Sequence, residues 1–191
     1  KTGRDIRSIG ASILGFLLFV GTVEAARLEV VTTTQDLAAI ACAVGGDAVE
    51  VRSITRGYWD PHHVEAKPSY MRHLNRADLL IYNGLELEIG WLPLLIQGGR
   101  NRRVMPGSLG SLDASTGLPI REVPVGQVDR SMGDIHPEGN PHYTLDPRNG
   151  KAIAAVIRER FKSLAPAQGQ TFEANFDSFQ LSLSRRMEFW E

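Results

Sequence analysis

The chain has 191 residues, of which 42% are hydrophobic, and its formal net charge at pH 7 is −1. This length allows a globular domain with a substantial core, and the near-neutral charge predicts no nucleic-acid partner and no attraction to acidic lipid. The only cysteine, Cys42, excludes a disulfide within the chain. Because Cys42 lies among apolar residues, we expect a buried thiol with no chemical role.

The first 25 residues have the pattern of a secretory signal peptide. Three basic residues, Lys1, Arg4 and Arg7, precede an apolar run over 11–21, and Val23-Glu24-Ala25 then offers a cleavage site. This order predicts cleavage after Ala25 and export to the periplasm. The apolar run is shorter than the roughly 20 residues of a membrane span, so a retained anchor helix is the less favoured alternative.

Short strand patterns alternate with helix patterns from residue 28 onward. Strands are predicted at 28–32, 49–54, 77–82 and 103–105, and helices at 36–44, 68–76, 86–96, 147–164 and 171–191. Asp146 and Pro147 are expected to be the N-cap and the first residue of the fourth helix. This alternation predicts an α/β fold, in which helices cover both faces of a parallel sheet. Residues 107–140 are rich in Gly, Pro, Ser and Asp and are expected to be mostly irregular.

Two loops present a histidine directly after a proline: Asp60-Pro61-His62 and Asn140-Pro141-His142. Proline restricts its own φ and the residue before it, so both histidines stand on stiff backbone. Ligands of parallel sheets bind beyond the carboxyl ends of the strands, where both loops are expected to lie. Neutral imidazole is a common zinc ligand. We therefore predict that His62 and His142 bind one metal ion, although a single loop histidine is most often only a surface residue.

Other residues are weaker candidates for the same site. His136 is a further metal-ligand candidate, as an auxiliary capture residue, but an exposed loop histidine is the favoured alternative at that position. His63 is expected to face away from the site, with an exchange of roles between His63 and His62 left open. Glu65 and Asn83 are candidates for orienting the imidazoles.

The sequence lacks the patterns of common catalytic sites. It has no His-Glu-x-x-His run, no Gly-x-Ser-x-Gly elbow and no phosphate-binding glycine loop. A zinc hydrolase also needs three protein ligands, an open coordination position and usually a general base. We therefore expect a binding protein rather than an enzyme.

Several motifs follow one another along the chain in the order typical of one transport family. They are Val31-Thr32-Thr33-Thr34-Gln35-Asp36-Leu37, Gly45-Gly46-Asp47, Asp60-Pro61-His62, Glu65, Pro68-Ser69, Ala77-Asp78-Leu79, Asn83-Gly84-Leu85, Trp91-Leu92 and Pro141-His142 through Leu145-Asp146-Pro147. From about Leu28 to its carboxyl end, the chain resembles the solute-binding proteins of zinc and manganese ABC importers. Members of this family deliver a metal ion to a membrane permease.

The resemblance implies two α/β lobes, joined by a long rigid helix, that hold one metal ion between them with four side chains. It assigns residues 26–166 to the amino-terminal lobe and residues 167–191 to the start of the interlobe helix, so the chain is expected to lack the second lobe. By motif, the two ligands from the first lobe fall on His62 and His142. The other two would come from the second lobe, so the first lobe alone is expected to bind weakly.

The resemblance also implies a cargo and partners. Zn²⁺ is the expected cargo, because histidine ligands suit borderline metals better than hard ions, and Mn²⁺ is the alternative. The expected partner is the permease of an ABC importer in the membrane, and the protein is expected to be a periplasmic monomer. A surface adhesin that binds metal incidentally is a competing interpretation. Because protons compete for imidazole, zinc affinity is expected to fall below about pH 6.

Overall fold

The computed structural model describes residues 26–126, 128 and 135–190. The predicted signal peptide, residues 1–25, lies outside the described residues. None of the helices in the described ranges is both long enough and apolar enough to cross a lipid bilayer.

A four-stranded parallel sheet lies at the centre of the described part of the chain. Its strands are β1 (Leu28–Thr32), β2 (Val49–Ser53), β3 (Leu79–Tyr82) and β4 (Ser111–Asp113). They stand in the order β2-β1-β3-β4, and each neighbouring pair is parallel. In this register, Val30 of β1 is opposite Val51 of β2 and Leu79 of β3. All four carboxyl ends therefore lie along one edge of the sheet.

Helices cover both faces of this sheet. Within the described ranges they are α1 (Gln35–Gly45), α2 (Pro68–Arg76), α3 (Leu92–Gly99), α4 (Asn149–Leu164) and α5 (Gly169–Trp190). Helices α1, α4 and α5 pack together on one face, and α2 and α3 pack together on the other. The prediction of an α/β fold with a parallel sheet flanked by helices is therefore confirmed.

The hydrophobic core is divided by the sheet, because successive side chains of a strand point to opposite faces. Val30 of β1 and Ile81 of β3 belong to the cluster formed with α1, α4 and α5. Val31 of β1 and Leu80 of β3 belong to the cluster formed with α2 and α3. All four side chains are buried, so both central strands are apolar on both faces.

The long helix α5 agrees with the helix predicted over 171–191 as far as Trp190, the last described residue. Phe172 and Phe176 are buried, and the Phe172 ring centroid lies 5.3 Å from that of Phe161 on α4. The amino-terminal half of α5 is therefore part of the core on its face of the sheet. The division between a lobe and an interlobe helix stays a prediction.

Several predicted boundaries agree closely with the structure. The strand at 28–32 and the helix at 68–76 are matched in full. Helix α1 extends its prediction by one residue at each end and begins after Thr34, whose side chain accepts the Leu37 backbone N–H as an N-cap. Pro68 opens α2, where its missing N–H costs nothing.

The helix predicted at 86–96 is wrong at its start, because α3 begins only at Leu92. Gly84, Leu85 and Glu86 have φ values of 79°, 52° and 63°, which a right-handed helix does not allow. These three residues form a left-handed turn, called the 84–86 turn below. Hydrophobic periodicity does not detect such a turn, because the hydrogen bonds of a polar side chain, Glu88, hold it in place.

The strand predicted at 103–105 is also wrong. A 3₁₀ turn occupies Arg102–Val104, and the side-chain oxygen of Asn101 caps it by accepting the Arg103 backbone N–H at 3.0 Å. The fourth strand is instead β4, which lies inside the segment expected to be irregular. Its three residues are too few for a period-two pattern to be recognised.

The predicted N-cap of α4 is wrong as well, although the predicted end at residue 164 is confirmed. The helix begins at Asn149 rather than Pro147. Asp146 is engaged otherwise, because its carboxylate accepts the Arg148 backbone N–H at 3.0 Å and pairs with the guanidinium group of the same residue.

The expected burial of Cys42 is wrong, since the thiol is exposed. Helix α1 buries Leu37, Ala41 and Val44 against the sheet. The residue after Ala41 lies about 100° further round the helix, which turns Cys42 away from that buried face.

Candidate metal site

The two Pro-His loops meet at the carboxyl edge of the sheet. The first loop, residues 54–67, follows β2 and carries His62, while the second carries His142 shortly before α4. The ring centroids of His62 and His142 lie 5.3 Å apart. The structure therefore brings together the two histidines predicted to share a metal ion.

The two histidines are presented by matching turns. The backbone N–H of His62 donates to Asp60 Oδ1 at 2.9 Å, and the backbone N–H of His142 donates to Asn140 Oδ1 at 2.8 Å. In each case a short polar side chain accepts from the residue two positions later, across an intervening proline. The shared Asp/Asn-Pro-His sequence accounts for the shared geometry.

Each loop is also anchored through the carbonyl of its proline. Pro61 O accepts the indole N–H of Trp91 at 2.8 Å. Pro141 O accepts a side-chain N–H of Asn83 at 2.6 Å. Trp91 and Asn83 are both buried, so the two loops are tied to the core immediately before their histidines.

A third imidazole, that of His136, lies beside His62. Their ring centroids are 5.3 Å apart, and the two Nε2 atoms are separated by 3.2 Å. Two nitrogens bound to one tetrahedral zinc ion at 2.0–2.1 Å would lie about 3.3 Å apart. The spacing therefore fits a hydrogen bond between the rings and equally fits two adjacent ligand positions on one metal ion.

Asp60 also orients the His62 ring. Asp60 Oδ1 lies 2.8 Å from His62 Nδ1, and the pKa of the Asp60 carboxyl is lowered, first by the His62 backbone N–H and then by its ring. An ionised carboxylate can only accept, so Nδ1 carries the hydrogen and Nε2 keeps the lone pair. Metal binding through Nε2 requires this tautomer, and carboxylates commonly orient metal-binding imidazoles in this way.

This contact of Asp60 was missed in the sequence, where Glu65 and Asn83 were the candidates for orienting the imidazoles. Glu65 is exposed and pairs with Lys67 at 3.5 Å. Asn83 binds the backbone of the second loop. The sequence does contain a signal for this contact, namely an acidic residue two places before His62. Asp in that position commonly forms a local turn.

The pKa of the His136 imidazole lies below its ordinary value. Burial is the largest cause and the neighbouring His62 and His142 act in the same direction, whereas a backbone hydrogen bond with Leu85 and the charge of Glu86 oppose the shift. A lowered pKa keeps the ring neutral, the form that binds metal, down to lower pH. His136 is partly buried, in contrast to the exposed loop histidine that was the favoured alternative.

The three rings do not form a completed coordination shell. Within residues 26–126, 128 and 135–190, no three His, Cys, Asp or Glu side chains form a group that could hold a metal ion as they stand. The close nitrogen pair belongs to His62 and His136, and the His142 ring lies beside it. His63 is exposed, with its ring centroid 6.3 Å from that of His62. The role of His62, His136 and His142 as ligands stays a prediction.

Comparison with known proteins identifies the family. Residues 30–188 match the model of ZnuA, the periplasmic component A of a zinc-uptake complex. The metal ABC transporter substrate-binding lipoprotein ScbA of Streptococcus cristatus is 29% identical over 161 residues, covering 83% of this chain and 48% of that protein. The manganese ABC transporter substrate-binding lipoprotein PsaA of Streptococcus pneumoniae is 29% identical over 162 residues, covering 83% of this chain and 49% of that protein.

Solved structures agree with this comparison. A zinc-bound ZnuA deletion mutant superposes with a TM-score of 0.68 at 26% identity, and its alignment covers 83% of this chain and 55% of the other. The chain spans about half the length of the curated relatives it matches. Because the family model matches most of its residues, the chain belongs to the ZnuA family of solute-binding proteins of metal ABC importers.

Proposed function

We propose that this chain captures a divalent transition metal ion outside the cytoplasmic membrane, zinc ahead of manganese, for delivery to the permease of an ABC importer. The observation that carries the proposal is the group of three imidazoles at the carboxyl edge of the sheet, in which two Nε2 atoms lie 3.2 Å apart. The names of the relatives support a role in metal import. The family consists of transporter substrate-binding proteins, which supports binding rather than catalysis.

His62 and His142 are the proposed ligands, with His136 as an auxiliary third. A metal ion bound to His62 would have two further imidazoles nearby, because the ring centroids of His136 and His142 each lie 5.3 Å from that of His62. Rings that bind one tetrahedral zinc ion have centroids about 5 Å apart, which supports shared coordination. Asp60 would keep His62 in the tautomer that binds through Nε2.

Zinc is favoured over manganese by the donor atoms. Three imidazole nitrogens suit zinc, whereas manganese prefers sites rich in carboxylate and other oxygen ligands. The relatives divide on this point, because PsaA is named for manganese and the similar ZnuA structure contains zinc. Zinc is therefore placed ahead of manganese because of the imidazole nitrogens in the described part of the site.

The proposed setting follows from the family. Residues 26–166 would form the amino-terminal lobe of a two-lobed protein, and residues 167–191 would begin the interlobe helix, consistent with the length of α5. The remaining metal ligands would come from a second lobe. The protein would act as a periplasmic monomer after removal of residues 1–25.

Calorimetric titration of the chain with Zn²⁺ and Mn²⁺ tests this proposal. We expect one zinc ion to bind, with an affinity at least about tenfold higher than that for manganese, because imidazole ligation favours zinc. A His136→Asp variant is the reference. Replacing this nitrogen ligand by an oxygen ligand is expected to reduce the ratio of zinc affinity to manganese affinity. Absence of binding by either metal would reject the proposal, and tighter binding of manganese would reverse the order of the two cargoes.

Zinc affinity is expected to fall as the pH is lowered. Protons compete with zinc for the imidazole nitrogens, so protonation of any ligating ring removes a ligand. Because the pKa of His136 is lowered, we expect its ring to be protonated later in an acid titration than an ordinary histidine. Repeating the zinc titration in steps from neutral to acidic pH measures the effect, and an affinity that stays constant over this range would contradict imidazole ligation.

A further inference from the structure

A buried carboxylate that bonds the segment after strand β3 has no part in the metal binding described so far. Glu88 lies between the 84–86 turn and helix α3 and is 3% exposed. Its Oε1 accepts the Asn83 backbone N–H at 2.7 Å, and its Oε2 accepts the Gly84 backbone N–H at 3.2 Å. Each carboxylate oxygen therefore accepts one N–H group from the end of strand β3.

The backbone held by these two bonds is strained. Leu85 and Glu86 have positive φ, a conformation that is uncommon for residues with a Cβ atom and persists only where neighbouring contacts impose it. Gly84 precedes them with φ 79°, and a Cβ atom there would collide with the Asp113 carboxylate. The Glu88 carboxylate is one of the contacts that impose this backbone conformation, because it accepts the two N–H groups at the start of the 84–86 turn.

The same segment holds the loop of His142 on both sides of the histidine. The Asn83 side chain donates to Pro141 O at 2.6 Å. The Asn83 carbonyl accepts the hydroxyl of Tyr143, which is itself buried, at 2.5 Å. Asn83 thus binds the residue before His142 and the residue after it, while Glu88 binds Asn83.

We infer that Glu88 is a positioning residue for the metal site, which acts through Asn83 to hold His142 beside His62. This inference rests on the proposed function, because its consequence for metal affinity requires that these histidines bind metal. Glu88 itself contacts backbone N–H groups and is not a proposed ligand. A buried carboxylate is costly to a fold unless its hydrogen bonds are satisfied, and here they are satisfied by the segment that supports the site.

A Glu88→Gln variant tests this inference. The amide replaces one acceptor oxygen with an NH₂ group, so one of the two backbone N–H groups would face a donor. Phe172→Leu is the matched control, because it loosens the core at α5, in the cluster on the face of the sheet opposite α3. Both variants are compared at conditions of equal thermal stability, by amide hydrogen exchange of the metal-free chain and by zinc titration.

We expect Glu88→Gln to accelerate exchange of the Asn83, His142 and Tyr143 amides more than Phe172→Leu does, and to lower zinc affinity roughly tenfold, the size typical of lost support around a ligand. Exchange at these amides no faster than in the control would overturn the inference, as would unchanged zinc affinity in a chain that binds zinc. If the unaltered chain binds no zinc, the proposed function fails. The exchange comparison then still decides whether Glu88 positions the loop.

Discussion

Replacement of His62 by alanine is expected to lower the zinc affinity of the chain by at least about 100-fold, more than the loss of an orienting partner typically costs. His62 is the central ring of the three, because both other imidazoles lie 5.3 Å from it. Its Nε2 faces His136, and its Nδ1 is held by Asp60. Removal of this ring would therefore take away a proposed ligand and the imidazole from which both other rings lie 5.3 Å away.

The adjacent histidine supplies a control for this experiment. His63 is exposed and its backbone N–H binds Asp60 O, so His63→Ala removes an imidazole from the same loop without changing the proposed shell. Calorimetry should show nearly native affinity for His63→Ala and a large loss for His62→Ala and for His142→Ala. Equal losses for His62→Ala and His63→Ala would contradict the assignment, and a larger loss for His63→Ala would indicate that the two histidines exchange roles.

Replacement of Phe161 by alanine is expected to destabilise the fold by about 3–5 kcal/mol. Phe161 is fully buried on α4 and its ring packs against Phe172 of α5. Truncation would leave a cavity between two helices that close the same face of the sheet, and neighbouring side chains can collapse into it only in part. Chemical denaturation followed by circular dichroism measures the change in the free energy of unfolding.

Phe189→Ala is the control for that measurement, because it is the same substitution at a side chain that is 86% exposed. We expect its effect to remain within about 0.5 kcal/mol, as for most surface substitutions. A loss of less than about 1 kcal/mol for Phe161→Ala would show that the helix layer of α4 and α5 contributes little to stability, contrary to the large-to-small substitutions known in cores.

The features that depend on short stretches of sequence were predicted correctly. The apolar residues of β1 and β3 are buried on both faces, as expected of a parallel sheet with helices on either side. Pro68 marks the start of α2, and the alternation of elements predicted the sheet and its direction. The Pro-His loops were recognisable for the same reason, since a proline and its neighbours determine the local backbone.

The wrong predictions share a physical cause. Helix α3 starts late because the 84–86 turn is held by hydrogen bonds from Glu88, and β4 forms because Ser111 to Asp113 can pair with β3. Strand β3 lies far from β4 along the chain, and Glu88 acts through hydrogen bonds that a pattern of apolar residues does not reveal. Helix α4 begins three residues after Asp146, whose carboxylate accepts the Arg148 backbone N–H ahead of the helix.

Residue type and short-range spacing were enough to predict the alternation of strands and helices, the stiff presentation of His62 and His142, and the family. The folded chain was needed to place His136 beside His62 and Asp60 Oδ1 at His62 Nδ1. It was also needed to join Glu88 to Asn83, whose side chain binds the loop of His142. The contacts of His136 with His62 and of Asn83 with Pro141 join residues far apart in the chain, and their geometry exists only once the sheet has brought its carboxyl ends to one edge. The bonds of Asp60 and Glu88 are short-range, but they depend on side-chain orientations that a pattern of apolar residues does not describe.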